Sequence, residues 1–181
     1  MTAPVLTTER LTLRRPDARD AAAMIGFFAD ERSRFYAGPK NECDAWRDLA
    51  ARVGHWELRG YGMFAIVERA SGETVGLAGP WHPAGFAEPE MSWLLTDARH
   101  EGKGYAAEAC QAVLAHVFAA HGWASLPSYI DTENAASRAL ALRLGARPDP
   151  ASPSPLPGCD TYRHHPAHNP AHNPVPSELP A

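Results

Sequence analysis

The sequence predicts one domain of the mixed α/β (α+β) class. Three observations carry this expectation. The 181 residues, 45% hydrophobic and 21% charged, suit a single sizeable core in a globular chain. The apolar pattern switches repeatedly between strand and helix period over residues 1–147. The resulting order is strand, two helices, three strands, helix, strand, helix, strand.

Arg10-Leu11-Thr12-Leu13-Arg14 alternates polar and apolar, as a half-buried strand does. Pro16-Asp17 opens a helix running to about Phe28, with Ile25 and Phe28 on its buried side. Asn41 is a suitable cap for a second helix that runs to about Leu58. Gly62 to Glu68 reads as a strand, Ser71-Gly72 as a turn, and Glu73 to Gly79 as the returning partner. Glu90 to Leu95 is the next strand. From Tyr105 to His121 the period becomes 3.6, with Ala106, Cys110, Val113, Leu114, Val117 and Phe118 on one face and Gly122 as the stop. Ser128 to Asp131 reads as a short strand. Ala135 to Leu144 reads as a helix with Ala136, Leu140 and Leu144 on its stripe, closed by Gly145. Cys159 to His164 can form a last strand, since Thr161 and Tyr162 favour it.

Beyond Arg147 the composition changes, with ten of the 17 prolines and four of the nine histidines. Residues 1–165 are expected to form the domain, and the Pro/His-rich segment 166–181 a mobile tail. The net charge of -4 and the lack of a basic stretch argue against nucleic-acid binding, which needs a cationic face. Cys43, Cys110 and Cys159 are odd in number and far apart, so neither a disulfide framework nor a metal site is expected. Cys110 falls on an apolar stripe and reads as core. No basic region followed by an apolar run opens the chain, and no apolar stretch is long enough to span a bilayer. No membrane association is expected, and a reduced, cytoplasmic protein is.

Gly102-Lys103-Gly104 lies between a strand and a long amphipathic helix. Glycines allow a tight turn and a close backbone approach, and the first helix amides lack intrahelical acceptors. With the helix dipole this suits a phosphate, and Arg99 and Lys103 could add charge-assisted bonds. Alone, the turn is equally compatible with an empty loop. It lacks the GxxxxGK[ST] pattern of a P-loop. Gly102 to Ala107 matches G-x-G-x-x-A, but six residues separate it from the strand, and a dinucleotide fold should not begin strand-helix-helix.

Arg99-x-x-Gly102-x-Gly104 resembles the pyrophosphate signature of the GNAT (GCN5-related) N-acetyltransferase superfamily. The longer run to Ala109 resembles the branch of ribosomal-protein N-terminal acetyltransferases. Thr8-Glu9-Arg10-Leu11-x-Leu13-Arg14, Glu90-Met91-Ser92-Trp93-Leu94-Leu95 and Asn134-x-x-Ser137-x-x-Leu140-x-x-x-Leu144-Gly145 resemble other segments of that branch, in the expected order. The resemblance implies a mostly antiparallel sheet of six to seven strands with helices on both faces. Its fourth and fifth strands would be parallel and splayed, with acetyl-CoA in the gap. Trp93, Leu94 and Leu95 would then pair with the pantetheine arm. Arg99, Gly102, Lys103, Gly104, Tyr105 and Ala106 would hold the pyrophosphate, and Asn134 and Ser137 would lie near the thioester. Asn134 also reads as the cap of its helix.

The resemblance further implies direct attack of an amine on the thioester, the acceptor being a small-molecule or peptide amine. Glu90 is the candidate general base, with an ordinary strand glutamate as its other reading. Many superfamily members carry a tyrosine acid seven positions after the asparagine; Ala141 stands there, and Ser137 becomes the candidate acid. Phe35, Tyr36 and Trp81 are candidates to line the acceptor pocket, and His82 to relay a proton beside it. Pro148 to Gly158 replaces a recognisable strand. The alternative function is an acyl-CoA-binding domain without transfer activity. The resemblance leaves monomer and homodimer both open.

Overall fold

Apolar and polar residues alternate from Leu11 to Arg14 and bury Leu11 and Leu13 completely, so this strand starts the sheet the pattern predicts. The structure, a computed structural model, describes residues 4–166. Five antiparallel strands run in the order β1 (Leu6–Thr7), β2 (Leu11–Arg14), β3 (Phe64–Glu68), β4 (Thr74–Trp81) and β5 (Glu90–Leu95). A second sheet has the order β6 (Leu126–Asp131), β8 (Cys159–His164) and β7 (Arg147–Pro148). The helices are α1 (Ala21–Ala29), α2 (Glu42–Arg59), α3 (Tyr105–His121) and α4 (Ala135–Arg143). This is a mixed α/β fold. The expected single sheet divides between β5 and β6, the pair read as splayed, and no ladder joins them among the described residues. The two-residue strands β1 and β7 are too short to show a period.

Helices cover both faces of the first sheet. Val75, Ala78, Met91 and Trp93 pack with Cys110, Val113, Leu114 and Val117 of α3. Leu77 and Leu94, on the opposite pleat, pack with Met24, Phe27 and Phe28 of α1 and Leu49 of α2. Fully burying each of these large apolar side chains is worth roughly 1.5–3 kcal/mol, which is what fixes two helices to one face and one to the other.

The helix ends follow the capping chemistry. Asn41 caps α2 by accepting from the Asp44 amide at 2.9 Å, and Gly60 and Gly122 end α2 and α3 in the left-handed region. Three expectations need correction. The Asp17 side chain caps a 3-10 turn, Ala18–Asp20, before α1 begins. Ile25 is only half-buried, and Met24, Phe27 and Phe28 form the buried side of α1. In α4 Ala136 is exposed; Ala141 is the residue it buries, with Leu140 and Leu144 packed beside it. Residues 167–181, most of the expected tail, lie outside those described.

Candidate active site

The outer edge of β5 is read from its register. Pro80 has no N–H, and it stands opposite Met91, so that pair is not hydrogen-bonded. The Thr96 amide donates to the Val75 carbonyl at 3.0 Å, which gives the same phase. Residues 90, 92 and 94 therefore bond to β4, while Met91, Trp93 and Leu95 turn their backbone groups outward, where β6 splays away. Three side chains from two other parts of the chain reach those carbonyls. Ser128 Oγ donates to Met91 at 2.6 Å, the Tyr36 hydroxyl to Trp93, and Arg32 Nη2 to Leu95 at 3.3 Å. The amides of Trp93 and Leu95 lie on the same edge. Leu94 has its backbone turned to β4 and its side chain in the core against α1 and α2.

A cavity of about 490 Å³ opens between this edge and β6. Glu90, Trp93, Asn134 and Ser137 line it together with Phe35, Tyr36 and Trp81. His82 is not on its wall. Its ring bonds the Tyr61 hydroxyl at 2.9 Å and the Phe86 carbonyl at 3.0 Å, which pins the β4–β5 loop.

Glu90 is 6% exposed, and its Oε2 has one long contact, 3.4 Å from the Tyr129 amide. Burial raises its pKa to about 8, with the Tyr129 amide and the Arg52 charge opposing the rise only in part. A carboxyl group poised there can exchange a proton near neutral pH. Burial also raises the pKa of the Tyr36 hydroxyl, which stays protonated and donates. Asn134 caps α4, its Oδ1 accepting from the Ser137 amide at 3.1 Å. Ala141 is fully buried core.

Beyond the end of β5 the chain makes a short 3-10 turn, Ala98–His100, and then the glycine turn. Gly102 and Gly104 both have positive φ, at 72° and 81°. Gly104 occupies the N-cap of α3 without a side chain to cap it, so the first helix amides remain available to an outside acceptor. Arg10 braces the turn. Its Nη1 donates to the Lys103 carbonyl at 2.8 Å, and its Nε pairs with Glu108 of α3 at 2.7 Å. Arg99 is exposed and paired with Glu73 and Asp97. Lys103 is exposed. Tyr105 contributes only its position at the helix start; its ring is buried and its hydroxyl donates to Glu68. Ala106 is half-buried behind it. An uncapped helix start, a bare glycine turn and the outward amides of Trp93 and Leu95 suit the phosphates and amide-bearing arm of coenzyme A.

The sequence reading missed several residues. Arg52, Lys40 and Asp48 line the cavity on the side of α2, Tyr129 and Ser128 on the side of β6. Arg52 carried a signal: it interrupts the buried stripe Ala45, Leu49, Trp56 of α2, where a charge needs a reason. Ser128 and His164 had none; their contact joins residues 36 apart.

A family profile described as the acetyltransferase (GNAT) domain matches residues 10–147. The chain belongs to this family of acetyltransferases. A crystal structure of the acetyltransferase from Agrobacterium tumefaciens str. C58 superposes with a TM-score of 0.84 at 36% identity, covering 91% of this chain and 96% of that one. An uncharacterized N-acetyltransferase p20 of Bacillus licheniformis is 27% identical over 143 residues, 77% of this chain and 80% of its own. The ribosomal-protein-S5-alanine acetyltransferase from Vibrio fischeri shares the fold with a TM-score of 0.67 at 16% identity, over 90% and 96% of the two chains. Among the described residues no cluster of three or more His, Cys, Asp or Glu side chains could hold a metal, and no helix is long and apolar enough to cross a membrane.

Proposed function

We propose that this protein transfers an acetyl group from acetyl-CoA to a primary amine, either of a small molecule or of a protein N-terminus, by direct attack in a ternary complex. The observation that carries this reading is Glu90, a buried carboxyl group with a pKa near 8 on the wall of a cavity beside the outward edge of β5. The CoA phosphates would lie at the Gly102–Ala106 helix start, and the pantetheine arm along Trp93 and Leu95. Either outward amide of that edge could polarise the thioester oxygen.

The amine nitrogen attacks the acetyl carbon; a C–N bond forms and the C–S bond breaks. The ammonium proton passes to Glu90, directly or through water, and the departing thiolate takes up a proton. Ser137, on the cavity wall, is the candidate to donate a hydrogen bond to that thiolate, since Ala141 offers none. Holding both reactants in one cavity supplies most of the acceleration. A cytoplasmic setting suits the three cysteines, all unpaired.

Release of free CoA thiol from acetyl-CoA with a panel of amines tests this. Amine-dependent release supports it. CoA binding with no release on any amine would favour an acyl-CoA-binding domain that has lost transfer, the reading that Ala141 motivates.

A further inference from the structure

Arg52 projects from α2 into the same cavity and is 5% exposed. A guanidinium has five N–H donors in a planar fork and cannot be neutralised by losing a proton. Here only Nη1 is engaged, by the Asp48 carboxylate at 2.7 Å and the Asp48 carbonyl at 3.0 Å. Nε is buried and has no partner among the described residues. Nη2 has none among them either. Leaving a buried donor of a charged group unpaired costs on the order of 1–3 kcal/mol or more, so such a group is retained where something else pairs it.

The surroundings fix this fork in place. The guanidinium lies 5.3 Å from the centre of the Trp81 ring and 5.8 Å from that of Phe28, which holds its plane. Lys40 shares Asp48 from the other side and sits 4.4 Å from the Phe28 ring. Arg34, at the mouth, rests on Phe35 at 4.3 Å and is in no ion pair among the described residues. Arg34, Lys40 and Arg52 thus line this side of the cavity with one carboxylate, Asp48, which pairs with Lys40 and Arg52. Asp48 is itself held by hydrogen bonds from Lys40 and Arg52, which outweigh its burial and keep its pKa low. Glu90, another acid on the cavity wall, is held largely protonated at pH 7 by its burial. Asp131 is across the cavity on β6, where its carboxylate accepts from the Glu133 amide and its backbone carbonyl from the Asn134 amide. The α2 wall therefore keeps a surplus of positive charge and an unfilled planar donor set.

We propose that the acceptor is a small amine that also carries an anionic group, a carboxylate or a phosphate, and that Arg52, with Lys40 and Arg34 at the mouth, binds that group while the amine faces Glu90. This rests on the reading of the cavity as the acceptor site. A cavity of about 490 Å³ is the size of a small-ligand pocket, which favours a compact acceptor over a protein tail.

The test compares amines matched in size: propylamine, β-alanine, O-phosphoethanolamine and 1,3-diaminopropane, with an alanine-initiated tetrapeptide as the protein-like acceptor. The full chain and acetyl-CoA are used, and kcat/KM is read from thiol release. At least one of the two anionic amines should exceed propylamine tenfold or more, mainly through KM, and which of them leads tells carboxylate from phosphate. In Arg52→Gln the ratio of that amine to propylamine should fall toward one, while Arg52→Lys should restore part of it. A ratio is used because a loss of folded protein lowers both rates equally. Arg34→Ala, at an exposed residue, should lower the same ratio severalfold in a folded protein. Preference for propylamine, diaminopropane or the peptide, or a ratio unmoved by all three variants, overturns the proposal. If no amine is turned over, the transfer reading fails, and calorimetry on the CoA-saturated protein decides this one. Tighter binding of β-alanine or O-phosphoethanolamine than of propylamine, lost in Arg52→Gln, supports the anion site. Equal or absent binding of all three rejects it.

Discussion

Replacing Glu90 by Gln keeps the shape of the side chain and removes its titration. The fold raises this group from 4.5 to about 8, chiefly by burial. At about 1.4 kcal/mol per pH unit, the difference in its ionisation free energy between the folded and unfolded chain is on the order of 5 kcal/mol. The sign follows from which state keeps the proton. Below pH 4.5 both states are protonated and the stability is fully present. Between 4.5 and 8 the unfolded chain ionises first, so stability falls as pH rises, and above 8 the loss is complete. Gln cannot lose a proton, so the variant lacks this slope. Urea unfolding followed by tryptophan fluorescence should show Glu90→Gln gaining on the wild type by about 4 kcal/mol between pH 5 and pH 9. Any constant offset from the new amide does not vary with pH. A stability difference that stays flat over this range would refute the claim that Glu90 is buried as a neutral acid. The same variant should lose most of its kcat with any amine, and with it any rise of kcat that follows ionisation near pH 8.

Gly104→Val places a β-branched side chain at φ 81°, and its Cβ would also meet Arg10 Nη2 at 3.4 Å. The strain of about 1–3 kcal/mol lowers stability, while the added side chain crowds the backbone where a phosphate would approach, so CoA should bind at least tenfold more weakly by calorimetry. Unchanged affinity in a folded variant would remove the pyrophosphate assignment. Ser128→Ala leaves the Met91 carbonyl and His164 Nε2 without the hydroxyl that joins them at 2.6 and 3.0 Å. Denaturant melts should show a loss of about 1–3 kcal/mol, and no loss would mean that this contact does not hold β5 to β6.

Elements with a strong period were legible. The Glu90–Leu95, Tyr105–His121 and Cys159–His164 spans match the structure residue for residue, because glycine or proline punctuates them and their apolar faces are long or strictly placed. α4 was legible in extent, not in orientation. Of its nine residues Ala135, Ala136, Ala139 and Ala141 are alanine, so the period is weak, and docking against β6 and β8 buries Ala141 in place of Ala136. The glycine turn could be read because it is local. The α2 wall of the cavity could not, since Arg52, Glu90 and Tyr129 meet only after three elements have packed. Tyr36 and Arg32 likewise reach Trp93 and Leu95 across 57 and 63 positions of sequence. Register, rather than composition, separates outward Trp93 and Leu95 from inward Leu94.

Transfer itself is tested most directly by mass spectrometry of the amines after incubation with isotopically labelled acetyl-CoA and the full chain. The account predicts that an amine gains the labelled acetyl group, one amide for each thiol released, and that Glu90→Gln loses most of the gain while still binding CoA. Tight CoA binding by the wild-type protein with no labelled amide on any amine would contradict it.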